Sequence, residues 1–571
     1  MTDIPSDRPS AAAGDDDAPR DPSRRRLLEG LGVAGAALAV GACQPGVRAT
    51  GASAAAASSP AAGAVVSDAQ LRQHIQHIVV LYAENRSFNN LFADFPGLAQ
   101  PLSAVSADAA RQRDRDGSVL ASLPPIWGGM VPQAQVVEHR TYKMGQDALT
   151  GLPNQPFALR TADGEPLPHG VITRDLTHRF YENQLQINGG RNDGFVAWGD
   201  TGAMVMGHYA DSAVNLRLWQ LARQYTLCDN FFMGAFGGSF LNHQYLIAAQ
   251  PPRYPAAAAE RMRLRTAQIE GDDPTGTQPR LAADSPRSAM QGRAKFASAD
   301  TLTPDLWVVN TMGPAYAPAF NPDAHNVLLA DAGNLNTLPP QSHQTIGDAL
   351  SAANVDWAWY AGGWQLALEG KGDGDPDAFP GVPNFQAHHQ PFNYFRQFAP
   401  GTAARRQHLR DGGFGETARS NRFLADVAAG TLPPVSFYKP QGDLNMHAGY
   451  SDVDAGDRHL ATVVDALQNG PQWPGMVVII TVDENGGWWD HVAPPKGDRW
   501  GPGTRVPALV ISPFARKGFV DHTIHDTGSI ARLITRRFGL HKLPGLAARE
   551  QAMLAAGGPA PGDLTSALEF S

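Results

Sequence analysis

The chain has 571 residues, enough for one large or two or three modest domains and for a sizeable core. Its 46 basic and 55 acidic residues give a formal charge of −9, and no basic stripe or tail stands out, which argues against a nucleic-acid partner. Two cysteines, Cys43 and Cys228, exclude a disulfide framework, and 59 glycines with 45 prolines point to long loops around a core.

Ser23-Arg24-Arg25-Arg26-Leu27-Leu28 precedes a mild apolar segment at 30–42. A charged region followed by a hydrophobic one, with twin arginines, fits a Tat-type export signal. The apolar run is too short for a membrane span, which needs about 20 residues. Val40-Gly41-Ala42-Cys43 has the form of a lipobox, with Cys43 as the lipidated first residue of the mature chain; cleavage within the Ala-rich stretch 49–64 is the alternative. Residues 1–43 are thus read as signal and 44–70 as a flexible Ala/Gly/Ser linker. The protein is expected to be exported: periplasmic, secreted, or membrane-associated through Cys43.

His77-Ile78-Val79-Val80-Leu81-Tyr82 reads as a strand that ends in Glu84 and Asn85. A carboxylate and an amide are hard oxygen donors suited to Mg2+, Ca2+ or Mn2+. Taken alone they serve equally well as a turn before a helix. Residues 98–170 read as a surface connection. The spacing of Leu176, Phe180 and Leu185 predicts a helix with His178 near its start, where a lone histidine is more often a packing or capping residue. An amphipathic helix is predicted at 216–225, followed by Thr226-Leu227-Cys228, with Cys228 filling core. Gly237-Gly238-Ser239 then opens another helix. Two glycines allow close backbone approach, and a helix start favours phosphate. Ser239 is either an exposed nucleophile or a plain N-cap. Leu241 stands where the G-x-S-x-G elbow needs glycine, and no P-loop lysine follows. Residues 251–300 look like a surface insertion.

DWAWYAGG, within 350–363, is a further strand; His388 and His389 then sit side by side in a loop. PPVSFYKP gives another strand, followed by Asn445-Met446-His447, and a helix is predicted at 457–469. The uninterrupted apolar run 477–482 reads as a strand buried on both faces, as in a parallel sheet. It runs into Asp483 and Glu484. Ligands bind at the carboxyl ends of such strands, and two adjacent anions there repel unless a cation or proton intervenes. Alone, the pair reads more simply as an acidic turn. A last core strand is predicted at 506–511 and a helix at 529–538, with no strong pattern in the tail, 551–571. Alternating strands and helices predict an α/β fold with a mostly parallel central sheet flanked by helices, in one domain over 71–550.

If the strand exits converge, a divalent cation on the four oxygen donors would also hold and activate Ser239, while the histidines met the phosphoryl oxygens. The pieces HIVVLYAENRSFNNLF, NGGRNDGF, TLCDNFF, GGSFLNH, HHQPFNYF, LNMHAGYSDV, TVDENGGWWDHVAPP and GPGTRVPALVISPF, in this order, resemble the acid phosphatase/phospholipase C phosphoesterase family, related to the alkaline phosphatase superfamily. The resemblance covers roughly 71–545. It implies one divalent metal ion, Mg, Ca, Mn or Zn, on Glu84, Asn85, Asp483 and Glu484, with Ser239 as nucleophile and fifth ligand. It implies a phosphate pocket of His178, His388, His389 and His447. Asp490 and His491 are read as a further ligand pair or a supporting pair, with the supporting role preferred. Ser239 matches the acid-phosphatase branch, since phospholipase C members tend to carry threonine there. No C/S-x-P-x-R sulfatase motif surrounds Ser239. The leading expectation is an exported acid phosphatase acting on small phosphoesters. A phospholipase C acting on phospholipid is the alternative, and a non-catalytic phosphate-binding lipoprotein a third.

Overall fold

The computed structural model describes residues 66–369 and 385–570. The expected export signal and Cys43 lie outside them, as does most of the expected linker. The linker's end is not linker: Ser67 caps a helix, α1 (Asp68–His74), in a reciprocal capping box with Gln70.

The Val/Ile/Leu runs cannot face water on either side, so they lie in the middle of one eight-stranded sheet. Its strands in chain order are β1 (His77–Ala83), β2 (Thr226–Cys228), β3 (Trp357–Gly362), β4 (Leu409–Gly413), β5 (Val435–Lys439), β6 (Met476–Val482), β7 (Ala508–Ile511) and β8 (Phe519–Asp521). They are ordered β8-β2-β7-β6-β1-β5-β3-β4. Central β1 pairs in parallel with β5 and β6, and Ala83 stands opposite Val482. Only β7 runs against the rest. It is also not the final strand, because β8 returns to pair with β2.

The helices that matter for the site are α2 (Phe88–Phe92), α3 (Phe180–Ile187), α4 (Arg217–Gln224), α5 (Ser239–Ala248), α6 (Val453–Asn469) and α7 (Gly528–Phe538). Helix α3 starts later than its apolar spacing suggests, so Leu176 and His178 precede it. Helix α6 starts earlier, because Asp452 accepts the Ala455 N–H and caps it. Residues 98–170 are more than a surface connection: they hold a hairpin, Val131–Val137 with Arg140–Met144, and bury Leu123, Ile126 and Met130. Residues 251–300 carry short 3-10 turns and isolated bridges. A helix missed in the sequence, α8 (Pro544–Ala555), follows α7, and the tail then returns to the sheet, where Thr226 Oγ1 of β2 donates to Ala567 O at 3.3 Å. No helix among the described residues is long and apolar enough to cross a membrane.

Candidate active site

Because β1 and β6 are adjacent and in register, the residues after them emerge side by side. Backbone N–H groups of Asn85 and Glu484 both donate to Asp483 Oδ1, at 3.1 and 2.8 Å. Gly486 N–H donates to Glu484 Oε2 at 2.6 Å. One oxygen of each carboxylate is thereby fixed. Gly486 has φ +58°, and a Cβ there would lie 2.4 Å from the Asn85 carbonyl oxygen, so this tight turn requires glycine.

Ser239 is the first residue of α5, and Gly238, not Ser239, holds the N-cap position. The serine hydroxyl makes no capping bond and points elsewhere. It donates to Asn85 Oδ1 at 3.3 Å and Glu484 Oε1 at 3.4 Å. A Cβ on Gly237 would meet Phe180 N at 2.6 Å, which explains how the loop comes so close to the segment carrying His178.

The four expected histidines surround these oxygens. His178 Nε2 is 3.7 Å from Glu484 Oε1, and its Nδ1 bonds Leu176 O at 2.6 Å. His447 Nε2 is 3.8 Å from Glu84 Oε2, and its Nδ1 bonds Ala448 O at 2.5 Å. His389 Nε2 lies 2.5 Å from Glu84 Oε1. The His388 ring packs 4.9 Å from that of His389, with both nitrogens buried and lacking a hydrogen bond. Three side chains missed in the sequence join them. Lys439, the last residue of β5, places Nζ 2.6 Å from Glu84 Oε1. His243, one turn into α5, bonds Ser239 O and lies 3.7 Å from Asp483 Oδ2. Tyr450 donates to Glu84 Oε2 at 3.2 Å. A strand-end Lys-Pro and a mid-helix histidine carry no distinctive signal; only the position of Lys439 at a third strand exit could have raised it.

Burial dominates the electrostatics. It pushes Glu84 up, but Lys439 and His389 more than reverse this and hold it well below the usual carboxylate range. Burial, with the charge of Glu84 and against that of Lys439, pushes Asp483 up to about 7. Glu484 is driven well above its ordinary value by burial and by Asp483, with His178 opposing. Burial lowers His243, His388 and His389, and takes His447 down to about 3.

This donor set fits a hard divalent cation. It is oxygen-rich, Asp483 Oδ2 is buried without a hydrogen-bond partner, and the two neighbouring carboxylates are destabilised as anions by burial and by nearby negative charge. Ligating atoms of Glu84, His243 and Asp483 lie within 4.8 Å of one another, as do those of Glu84, His388 and His389. Glu84 differs from the expectation in one respect: its Oε1 already has two partners, Lys439 and His389.

A sequence model of the Phosphoesterase family matches residues 75–541, most of the chain. The chain belongs to this family. Phospholipase C B of Mycobacterium tuberculosis is 25% identical over 535 residues, 87% of this chain and 78% of that protein. Non-hemolytic phospholipase C of Pseudomonas aeruginosa is 32% identical over 178 residues, 26% of this chain and 25% of that one. A solved alkaline phosphatase superfamily protein from Vibrio parahaemolyticus aligns over 62% of this chain and 64% of that chain, at 10% identity and a TM-score of 0.28. The phosphoesterase is accordingly a phosphoester hydrolase, and phospholipase C relatives fit the alternative expectation better than the acid phosphatase one.

In this phosphoesterase Asp490 does not reach the oxygen cluster. It accepts from Asn89 N at 2.9 Å and pairs with buried Arg505 at 3.0 Å. His491 Nδ1 bonds Asn89 Oδ1 at 2.9 Å. Both clamp the start of α2 against the loop after β6, which keeps the two strand exits together.

Proposed function

We propose that this phosphoesterase is a phospholipase C, hydrolysing the head-group phosphodiester of a phospholipid with Ser239 as nucleophile. The observation that carries the reading is the convergence of the Ser239 hydroxyl with Asn85 and Glu484, ringed by imidazoles. The phospholipase C names of two relatives support a lipid diester over a monoester. Ser239 Oγ attacks phosphorus, and Glu484 accepts its proton. His178 Nε2, 3.7 Å from that carboxylate, gives the proton a short route to the departing diacylglycerol oxygen. Backbone carbonyls hold the Nδ1 atoms of His178 and His447, so both rings keep Nε2 turned inward toward the phosphoryl group. Lys439 adds a fixed positive charge behind Glu84. Water then cleaves the phosphoseryl ester and restores Ser239. A divalent cation held by Asn85, Ser239, Asp483 and Glu484, with Glu84 beside them, would supply Lewis-acid stabilisation of charge at the reacting oxygens.

A phosphomonoesterase is the second reading, favoured by serine rather than threonine at 239. Diacylglycerol release from phosphatidylcholine in mixed micelles, set against phosphate release from p-nitrophenyl phosphate, separates the two. Phosphate release without diacylglycerol would replace the first reading by the second. Export is part of the proposal, since bilayer lipid is then within reach. Fractionation of cells expressing the full chain, with and without the Arg25→Lys and Arg26→Lys changes, tests it.

A further inference from the structure

A cavity of about 350 Å3 opens off Ser239 and His178, and its far wall comes from residues 265–311. That wall is anchored. Arg115 donates to Ala197 O, Pro286 O and Gly292 O at 2.9, 2.7 and 2.8 Å. Phe296 stacks on Trp198 with centroids 6.4 Å apart, and Leu302 N donates to Arg265 O at 3.0 Å.

The acidic side chains lining the cavity are already engaged. Asp300 accepts from Arg179 Nε at 3.1 Å and Asn310 Nδ2 at 3.0 Å. Asp200 accepts the Thr177 N–H at 2.9 Å and faces Arg174 at 4.0 Å. Asp175 accepts the Leu176 N–H at 2.9 Å. Glu182 is pushed up to about 8, by burial first and then by Asp300, so it is mostly uncharged at neutral pH. Among the cations, Arg179 is bound to Asp300 and Lys295 to Asp284 at 2.6 Å. Arg265 and Arg293 remain, both facing the cavity and neither with a side-chain hydrogen bond or ion pair among the described residues.

We propose that this cavity binds an anionic group, phosphoryl or carboxylate, on the part of the substrate beyond the scissile phosphorus, with Arg265 and Arg293 as the specificity-determining residues. The inference rests on Ser239 being the reacting centre. Its chemistry is the planar guanidinium fork, which pairs both oxygens of either anion. Arg179 does not compete for that anion, because Asp300 holds it.

The test compares kcat/KM within substrate pairs that differ by one anionic group. Phosphatidylinositol 4-phosphate against phosphatidylinositol probes the phosphoryl arm, and 3-phosphoglycerate against glycerol 3-phosphate the carboxylate arm. In at least one pair the anionic member should lead by roughly tenfold, the worth of a single charge-assisted hydrogen bond. The ratio should fall towards one in the Arg265→Gln/Arg293→Gln variant. Arg263→Gln, exposed on the same segment and paired with Glu260 at 3.5 Å, should keep it. A wild-type ratio near or below one in both pairs, or a ratio unchanged in the double variant, would overturn the inference while leaving Ser239 chemistry intact. Turnover of no member of either pair, nor of phosphatidylcholine or p-nitrophenyl phosphate, would instead remove the proposed function, and this inference with it.

Discussion

Lys439 Nζ lies 2.6 Å from Glu84 Oε1, and neither side chain is exposed. The pair joins the exits of two neighbouring parallel strands, β5 and β1, at the point where the histidines converge. A buried charge left without its partner is costly, typically about 3–5 kcal/mol. Lys439→Met should therefore lower the urea unfolding free energy by that order. Adding Glu84→Gln should recover much of it, since the orphaned charge is then gone. A single variant as stable as wild type would mean that another group, His389 foremost, neutralises Glu84 alone.

The Ser239 hydroxyl sits at the first turn of α5, makes no capping bond and donates to Asn85 and Glu484. Ser239→Ala should leave the fold intact by circular dichroism and thermal midpoint. Turnover of any phosphoester should fall by roughly a thousandfold or more, as for other covalent nucleophiles. Trapping labelled phosphoryl enzyme after an acid quench should succeed with wild type and fail with the variant. Labelled protein from the alanine variant would place the nucleophile elsewhere.

The strand exits were legible because β1 and β6 are unbroken apolar runs that end abruptly in carboxylates, a contrast visible in sequence. The histidines were legible mainly through the family resemblance, since His388 and His389 alone look like loop residues. Lys439 was not, because a lysine before proline at a strand end normally faces water; only the parallel pairing of β5 with β1 turns it inward. The reversed direction of β7 was hidden for a similar reason: strand direction is set by the chain's path, not by local residues. Helix α8 escaped because its weakly amphipathic sequence has no clear apolar face. The N-cap alternative for Ser239 failed at one detail of backbone position, the placement of Gly238 at the cap.

Away from the site, Asp521 at the end of β8 bonds His525 Nε2 at 3.1 Å and Ser566 Oγ at 2.5 Å. Burial raises this carboxyl, but His525, Ser566 and Thr523 outweigh it and bring it down to about 2 from an ordinary 3.8. A depressed carboxylate contributes stability above its unfolded value, and that stability drains away as pH falls through the folded one. The window here runs from about pH 4 to pH 2, and the full contribution is about 2 kcal/mol. The gap in unfolding free energy between wild type and Asp521→Asn should thus be widest at pH 5 and above and narrow steadily below pH 4. A gap that stayed constant down to pH 2 would show that the carboxylate charge contributes nothing.

Asp483 and Glu484 are adjacent, wholly buried, and each raised by burial and by a neighbouring negative charge. Asp483 Oδ2 has no hydrogen-bond donor of its own. A divalent cation there removes the repulsion, so its binding free energy is also folding free energy. At a free concentration about 100 times Kd the linkage is worth about 3 kcal/mol. EDTA treatment should abolish turnover and lower the thermal midpoint, and added divalent cation should restore both. In Asp483→Asn/Glu484→Gln the repulsion is absent, so the midpoint should no longer respond to chelator or cation, whatever the activity. Scanning Mg2+, Ca2+, Mn2+ and Zn2+ by the same shift identifies the preferred ion. A wild-type midpoint that EDTA does not move, with turnover intact, would mean that neither the fold nor the reaction needs a divalent cation at these carboxylates.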